Sequence, residues 1–310
     1  MFFSVIMPLY NKAPYVRKAM ESVVGQTYHD WELVVVDDGS TDGGGDIVKG
    51  FADNRIKIIR QENCGVSTAR NNGVATSTAP YITFLDADDW WEPTFLEEMA
   101  GLIERHPDAG IYGTGYHIVK NGKKRVAPIG IEENFTEGEI NYCQVYTNTL
   151  CMPLTSISVC MPQRVFDEMG GFKPQLKLGE DFDLWIRIAL RHKVVFLNKP
   201  LSNYNQDVDT TFRGIGRLHA PEQHFLWHMD YLHLDGDLKI LMDRLIAYNL
   251  IPYYLSRQYH NDTLPLLQRV EWGNIPSNIK RIYHLPLWYS RMEYKARTLG
   301  SRIKKLLILC

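Results

Sequence analysis

Apolar residues fall into short continuous runs in the first third of the chain, and segments with helical spacing lie between them. The runs over residues 3–9, 31–36 and 56–59 have the length and composition of buried strands. Residues 15–24 place apolar side chains three and four positions apart, which predicts a helix between the first two strands. Strands that alternate with helices at this spacing form a mostly parallel sheet with right-handed crossovers. We therefore expect an α/β fold in which helices flank the sheet.

A fourth apolar run, within YITFLDADDWW at residues 81–91, ends abruptly in the carboxylates of Asp86, Asp88 and Asp89. Ligands of α/β folds bind at the carboxyl ends of strands, which is where these acids would lie. Two like charges in one small loop repel each other unless a cation or a donor-rich ligand lies between them. The alternative is an acidic turn in which Asp89 caps the next helix. This stretch alone leaves both interpretations open.

The pattern continues to about residue 212 and then changes. Further helices and strands are predicted over residues 94–105, 109–113, 156–161, 164–169, 181–190 and 194–197. Residues 116–153 show no clear period and are interpreted as an insertion or flap, and residues 200–212 as a polar loop. Helical periodicity alone marks the segments 215–230, 236–257 and 287–309. We therefore predict one domain over 1–212 and a helical C-terminal region over 213–310.

Composition narrows the class of protein. The 310 residues are 45% hydrophobic with a formal net charge of −2, which is typical of a folded protein and argues against a general nucleic-acid binder. The first apolar run has no basic residues before it and stops at Pro8, so we interpret it as a strand and not as a signal peptide. The five cysteines never show CxxC spacing, which disfavours a disulfide framework and a zinc site. A reducing, cytoplasmic compartment fits best, and a homo-oligomer stays open.

The end of the chain differs in charge. From Lys280 onward the sequence has eight Lys and Arg residues against the single acid Glu293, and aromatic and aliphatic residues interleave with them. A basic amphipathic stretch of this kind can lie on the anionic inner face of a membrane. An ordinary packed helix with a solvated basic face has the same pattern, so both interpretations stand.

Four features of the first two hundred residues converge on one edge of the predicted sheet. They are the turn after the first strand, the acids after the second strand, an arginine near a helix start, and the acids described above; the residues are Pro8, Tyr10, Asn11, Asp37, Asp38, Arg70, Asp86 and Asp88. An aromatic ring can stack on a base, an arginine can pair with phosphate, and a carboxylate can hold a divalent cation between two phosphates. Neither GxGxxG nor GxxxxGK[ST] is present. We therefore expect a nucleoside diphosphate whose phosphates are neutralised by a metal and side chains.

Five separated segments, in this order, resemble the inverting family-2 glycosyltransferases of GT-A fold: SVIMPLYNK, VVVDDGSTD, GVSTARNNG, FLDADDWW and GEDFDLWIR. The resemblance covers about residues 3–212, and it implies that 1–212 is a nucleotide-sugar-binding and catalytic domain, with the helical region 213–310 associated with an acceptor or a membrane. It implies that Pro8, Tyr10 and Asp38 contact the uridine of a UDP-sugar, with Asp37 adjacent.

The same resemblance assigns the remaining donor residues. It places Arg70 toward the ribose or phosphates and Asp86 toward the nucleotide. It also makes Asp88 a ligand of Mn²⁺ or Mg²⁺.

The resemblance puts Asp181, in the pair Glu180–Asp181, at the position of the catalytic base. Direct displacement at an anomeric carbon needs a base for the attacking hydroxyl and a stabilised diphosphate leaving group, and a single base implies inversion. Glu180 either holds an acceptor hydroxyl or merely lies in the first helical turn, and the alternative role for Asp181 is a helix N-cap.

One segment departs from the family pattern. Many relatives have a histidine that faces the metal or diphosphate after the last core strand, and Asp207 stands at that position here. A carboxylate can still bind the metal, but it repels a diphosphate.

From the resemblance as a whole we predict a metal-dependent glycosyltransferase that acts on a hydroxyl of a glycan or lipid-linked saccharide in surface or capsular polysaccharide synthesis. The alternative is a non-catalytic nucleotide-sugar or glycan-binding module on the same fold.

Overall fold

A computed structural model describes residues 1–208, 218–229 and 234–300, with side chains to residue 294. Among these residues ten strands form one sheet, in the order β3-β2-β1-β4-β9-β6-β10-β5, with β7 paired to β6 and β8 paired to β10. The strands are β1 Phe3–Leu9, β2 Trp31–Asp37, β3 Ile56–Arg60, β4 Tyr81–Phe84, β5 Trp90–Trp91, β6 Ile111–Lys120, β7 Lys123–Val126, β8 Glu137–Ile140, β9 Val159–Pro162 and β10 Val194–Asn205. The first seven helices are α1 Ala13–Val24, α2 Gly44–Lys49, α3 Val66–Thr76, α4 Phe95–Arg105, α5 Tyr142–Thr149, α6 Gln163–Glu168 and α7 Glu180–Ala189. They are followed by α8 Gly236–Asn249, α9 Ile251–Leu255, α10 His260–Leu267, α11 Ser277–His284 and α12 Leu287–Gly300.

The first four strands of the chain are parallel neighbours, as their sequence predicts. β1 pairs with β2 on one side and with β4 on the other, and β3 extends the sheet beyond β2. Every residue of β2 is buried, which explains why WELVVVD is apolar without alternation. Because parallel strands end at the same edge, the acids that follow β2 and β4 lie on one side of the molecule.

The second half of the sheet is mixed. β9 runs antiparallel to β4 and to β6, whereas β6 and β10 run parallel to each other. The α/β prediction is therefore confirmed, and β3, β2, β1 and β4 form the continuous parallel part of the sheet. The segment 116–153, predicted to be an insertion or flap, contains the end of β6 and the elements β7, β8 and α5.

The prediction of a polar loop from residue 200 onward is wrong for its first part, because β10 continues to Asn205. This half of the strand is buried although it is polar: Ser202 and Asn203 have no solvent exposure. Both residues pair with β5 on one side and β6 on the other. Burial here is provided by the neighbouring strands, so apolar side chains are not required.

The C-terminal helices share a hydrophobic core with the sheet, and α8 packs against α5. One cluster of buried apolar side chains includes Ile6 and Val34 of the first strands and Leu241 and Leu245 of α8. The helix predicted over 215–230 is wrong where the chain is described, since residues 221–227 form two short 3₁₀ turns. The domain boundary predicted near 212 lies outside the described residues. No helix in the described part of the chain has both the length and the hydropathy to cross a bilayer.

Candidate active site

Two basic side chains hold the acids that follow β4. Asp86 Oδ1 accepts a hydrogen bond from Arg70 Nη2 at 2.8 Å, and Asp88 Oδ2 accepts from Lys12 Nζ at 2.7 Å. Both Lys12 and Asp88 are largely buried, with 14% and 11% of their side chains exposed. The tip of β4 is thus a pair of carboxylates whose charge is balanced by side-chain cations from two other elements.

The acids that follow β2 are held differently. Both oxygens of Asp38 accept hydrogen bonds, from Gln61 Nε2 at 2.7 Å and from the backbone amides of Cys64 and Gly65 at 2.9 Å. Asp37 Oδ1 accepts from the backbone amide of Ser40 at 2.8 Å. These two predicted nucleotide-binding residues therefore shape the loops on either side of the site, and Asp38 fixes the loop that leads into α3.

The turn after β1 presents its aromatic ring at the same edge. Pro8 lies in β1 opposite Val36 of β2, and Tyr10, which follows the strand, is 38% exposed. Asn11 adopts a left-handed backbone with φ of 50°, a conformation that asparagine tolerates better than most residues. Its side-chain oxygen accepts from the amide of Thr41 at 2.9 Å. The turn is thus anchored to the loop after β2, and the ring of Tyr10 is placed where a base could stack on it.

Arg70 connects the two acidic parts of the site. Its guanidinium is buried, with Nη2 on Asp86 at 2.8 Å and Nη1 on Glu180 at 3.3 Å. Within the described part of the chain, Arg70 Nε has no hydrogen-bond partner. One cation therefore joins the tip of β4 to the start of α7, two places that are more than ninety residues apart in sequence.

At the start of α7, the surroundings of Asp181 shift the pKa of its carboxyl. Burial of the carboxyl, followed by the negative charge of Glu180, raises the pKa of Asp181 to about 7, and the Arg70 guanidinium partly offsets this rise. An acid with a pKa near neutrality can accept a proton and release it again, which is what a general base requires. The N-cap of α7 is Gly179, not Asp181, so the capping alternative for Asp181 is wrong.

The C-terminal region packs directly against the start of α7. Gly179 has φ of 78°, and a Cβ placed there would lie 2.1 Å from the ring of Phe225. Phe225 in turn donates its backbone amide to the carbonyl of Leu178, and the amide of Lys177 donates to Gln223. The segment 221–227 therefore fixes the loop that orients Glu180 and Asp181.

Asp89 and Asp207, by contrast, support the backbone. Asp89 Oδ1 accepts from the amide of Asn205 at 2.7 Å, so this acid ties the loop after β4 to the end of β10. Asp207 accepts from the amides of Asn121 and Gly122 at 2.6 and 2.8 Å, in the turn between β6 and β7. The structure accounts for Asp207 as a residue that holds this turn, and its role as a metal ligand stays a prediction.

The sequence reasoning missed three contributors to the site. Lys12 lies within the segment SVIMPLYNK, but its ion pair with Asp88 spans 76 positions and leaves no local signal. Phe225 lies in a segment with misleading helical spacing. Tyr146 of α5 packs edge-on against Phe182, and its pKa is raised by burial and then by the charge of Asp181, which places it near Asp181. An aromatic side chain close to Asp181 therefore comes from the segment predicted to be a flap.

Comparisons with known proteins agree with this fold. The sequence profile of Glycosyl transferase family 2 matches residues 4–160. Glycosyltransferase GlyA of Streptococcus pneumoniae is 35% identical over 215 residues, which cover 65% of this chain and 30% of GlyA. An uncharacterised glycosyltransferase of Rickettsia conorii is 26% identical over 307 residues, which cover 87% of this chain and 48% of the relative. The chain thus spans less than half the length of these two curated relatives.

A solved structure with the same fold is that of S. aureus TarS residues 1–349 in complex with UDP-GlcNAc. It superimposes with a TM-score of 0.72 at 20% identity, and the match covers 94% of this chain and 88% of TarS 1–349. At this identity the likeness shows a shared fold.

Proposed function

This chain belongs to glycosyl transferase family 2 and has its GT-A fold, and from that premise we propose that it transfers a sugar from a UDP-sugar to a hydroxyl of a glycan or lipid-linked saccharide, with inversion. The observation that carries the proposal is the bridge made by Arg70. Arg70 joins Asp86 to Glu180, so the acids that could hold a metal-bound diphosphate and the acids suited to base catalysis lie in one site. UDP-GlcNAc in the TarS complex supports a UDP-sugar donor on this fold. The product would belong to a surface or capsular polysaccharide.

The donor would lie across the carboxyl ends of β1, β2 and β4. Tyr10 would stack on the base, beside Pro8 and the loop that Asp38 holds. Asp86, already oriented by Arg70, would accept from a ribose hydroxyl. The guanidinium itself has donors directed at carboxylates, so its share in phosphate binding would require one of these to be released.

A divalent cation would be held by Asp88. Among the described residues no three Asp, Glu, His or Cys side chains are grouped as a complete metal site. Mg²⁺ or Mn²⁺ at nucleotide sites, however, takes one or two carboxylates together with phosphate oxygens, so a single carboxylate fits this chemistry. Lys12 balances the charge of Asp88 and would give way to the cation. When bound, such an ion stabilises the charge that develops on the departing diphosphate.

Asp181 would act as the general base. Its carboxylate takes the proton of the acceptor hydroxyl as the hydroxyl oxygen forms a bond to the anomeric carbon, and the bond between that carbon and the diphosphate oxygen breaks. The electron pair of the broken bond leaves with UDP, so an α-linked donor gives a β-linked product. Burial and then the charge of Glu180 raise the pKa of Asp181 to about 7, so the carboxylate binds the proton of the acceptor hydroxyl more strongly than an exposed aspartate would. Glu180, held by Arg70, would orient the acceptor hydroxyl.

The Asp181→Asn variant tests the base directly. We expect sugar transfer to fall by about 10³-fold, within the range that a positioned general base and its charge contribute, while UDP binding persists. The measurement is UDP release in the presence of Mn²⁺ and an acceptor panel, alongside calorimetric UDP binding. Asp167→Asn, at an exposed acid of α6, is the matched control. Undiminished transfer by Asp181→Asn would exclude Asp181 as the base.

A non-catalytic binding module is the second candidate, and the position of Asp207 favours it. This acid stands where many relatives have a histidine, and its carboxylate holds a backbone turn instead. A binding module would show saturable UDP-sugar binding and no UDP release with any acceptor. The raised pKa of Asp181 favours the enzyme.

A further inference from the structure

The last described helix exposes two large apolar side chains on one face. Trp288 and Met292 are 67% and 56% exposed, and they lie one turn apart on α12, so together they form a surface that we name the outer face of α12. The other side of the helix packs inward, because Leu287 and Tyr294 contact the hydrophobic core and Ser290 is buried. The outer face is therefore a small apolar surface that is open to a partner.

The rings at the start of α12 are of the types that are enriched at membrane surfaces. The indole of Trp288 lies edge-on to the ring of Tyr289, with 5.7 Å between the ring centroids. Tryptophan and tyrosine combine an apolar ring with one polar group, so both favour the boundary between lipid tails and water. Met292, one turn further, adds a flexible apolar side chain to the same surface.

Positive charge accompanies the outer face along the sequence. After its two residues, the alternating spacing of four and three positions continues in the sequence to Lys295, Leu299 and Arg302. From residue 280 onward, eight Lys and Arg residues stand against a single acid. That acid is itself paired, since Arg281 Nη2 lies 3.8 Å from Glu293 Oε1. An apolar face with this excess of cations is complementary to an anionic lipid surface.

The direction of α8 shows which end of the molecule the last helices occupy. α5 and α8 start together, where Asn141 Nδ2 donates to Asp237 Oδ2 at 2.6 Å. Further along, Arg244 Nη1 donates to the carbonyl of Thr147 at 2.9 Å, one residue after the tyrosine of α5 that lies near Asp181. The two helices therefore run side by side toward the end of the molecule that bears the start of α7.

The last two helices are attached to this end of α8. Tyr283 of α11 donates its hydroxyl to the carbonyl of Ala247, in the last turn of α8, at 2.6 Å. From α12, Arg291 Nε and Nη2 donate to the carbonyls of Leu255 and Ser256 at 3.0 and 2.9 Å. These contacts fix α12 to the end of α9. The outer face of α12 is thus held at the end of the molecule that bears the proposed base.

The charge of the C-terminal helices also favours a membrane over a second copy of this chain. A symmetric dimer formed through the outer face would place the same surface of both copies together. Eight cations and one acid from each chain would then meet the same excess of cations, and they would repel each other. Anionic lipid headgroups attract the same cations.

We propose that the outer face of α12 docks on an anionic membrane surface, with Trp288 and Met292 at the level of the lipid headgroups and the neighbouring cations on the lipid phosphates. Docking itself does not require the reaction. Its use, which is to hold Asp181 close to the membrane where a lipid-linked acceptor resides, rests on the glycosyltransferase function proposed above.

Co-sedimentation of the full chain with vesicles tests the docking. The vesicles contain phosphatidylcholine alone or phosphatidylcholine with phosphatidylglycerol, at low and at high salt. The variant Trp288→Ser with Met292→Ser removes the apolar part of the outer face. The control is Leu190→Ser with Val126→Ser, because those residues are 55% and 59% exposed elsewhere on the surface. We expect the outer-face variant to bind anionic vesicles about tenfold more weakly or worse, since it loses the apolar area that enters the interface, and the control to bind as the unchanged chain does.

Lipid charge, salt and self-association separate the outcomes. Weaker binding to phosphatidylcholine alone and at high salt supports the contribution of the cations. Equal binding to neutral and anionic vesicles, equal binding by the outer-face variant and the unchanged chain, or no binding to anionic vesicles at low salt would each overturn the proposal. A dimer that sedimentation velocity detects for the unchanged chain and not for the variant would assign the face to a second copy, which also overturns it. If the double variant does not fold by circular dichroism, Trp288→Gln replaces it, with the same expected direction.

Failure of the docking and failure of the proposed function give different results. The unchanged chain is tested in parallel, without vesicles, for UDP binding and for Mn²⁺-dependent UDP release. UDP binding without vesicle binding overturns the docking alone. Vesicle binding that the outer-face variant loses, together with no UDP binding, overturns the proposed function and leaves the docking in place.

Discussion

Two strands of the parallel sheet end in a pair of acids, and the structure treats the two pairs in opposite ways. Asp37 and Asp38, after β2, are held mainly by backbone amides. Asp86 and Asp88, after β4, are held by the side chains of Arg70 and Lys12. A backbone amide cannot leave without refolding its loop, whereas a side-chain cation can rotate away when a ligand arrives. A pair of acids at a strand end therefore fixes the loops of the site after β2. After β4, the same feature provides carboxylates whose side-chain partners can be exchanged for a ligand.

The largest expected effect comes from removing one charge of the pair after β4, and it tests the difference between the two pairs. For Asp88→Asn we expect sugar transfer to fall by about 10² to 10³-fold, because the leaving diphosphate loses its main electrostatic support. The melting temperature should change less than the transfer rate, since the side chain of Lys12 can rotate away from Asp88. Transfer rates and thermal melts with and without Mn²⁺ measure both quantities. Loss of folding together with activity would show that the two acid pairs have the same role.

Removing the β2 carboxylate should have the opposite profile. Asp38→Ala leaves the amides of Cys64 and Gly65 without partners in a part-buried loop, which we expect to cost about 3 kcal/mol of unfolding free energy. Urea unfolding measures the loss. Asp38→Asn, which keeps one acceptor oxygen, should lose less. A normal unfolding free energy for Asp38→Ala would mean that the loop is held by other contacts.

The pair Glu180–Asp181 differs from both strand-end pairs, and the pH dependence of sugar transfer tests this difference. Because the pKa of Asp181 is about 7, the fraction of active base should fall about tenfold between pH 8 and pH 6. The transfer rate at saturating donor measures this, and Asp181→Asn should abolish the dependence. An acidic limb centred near pH 4 would contradict the raised pKa.

The same shift affects stability in a defined direction. The folded protein holds the proton of Asp181 more tightly than the unfolded chain, whose pKa is about 4. The stabilising contribution of the protonated form is therefore complete below about pH 4 and is lost as the pH rises through about 7. Urea unfolding of the unchanged chain and of Asp181→Asn at pH 5 and pH 8 should differ accordingly.

The smallest expected effect concerns the partner of Asp88. Lys12→Met removes the cation that competes with a metal, so we expect Mn²⁺ to bind about threefold to tenfold more tightly in the absence of UDP. Isothermal calorimetry measures the affinity, and Lys177→Met, at an exposed lysine, serves as the comparison. Weaker Mn²⁺ binding by Lys12→Met would mean that Lys12 supports the metal site.

The sequence predicts the first half of the fold well because its strands are apolar on both faces and its acids follow the strand ends directly. It fails at β10, where the polar residues Ser202 and Asn203 look like a loop and are buried because β5 and β6 flank them. The separate contacts of Asp88 and Asp181 are likewise beyond local pattern. Lys12 reaches Asp88, and Phe225 reaches Gly179 just before Asp181, from distant parts of the sequence that only the fold brings together.

Phe225 against Gly179 also has a consequence for how the protein is made. Domains form from the N-terminus as the chain leaves the ribosome, and the parallel strands β1 to β4 can pair early. The loop before α7, however, reaches its final shape only after Phe225 has been synthesised and has closed over Gly179. During synthesis the nascent chain can therefore form the edge that bears Asp38, Asp86 and Asp88 first, and the position of Asp181 is fixed last.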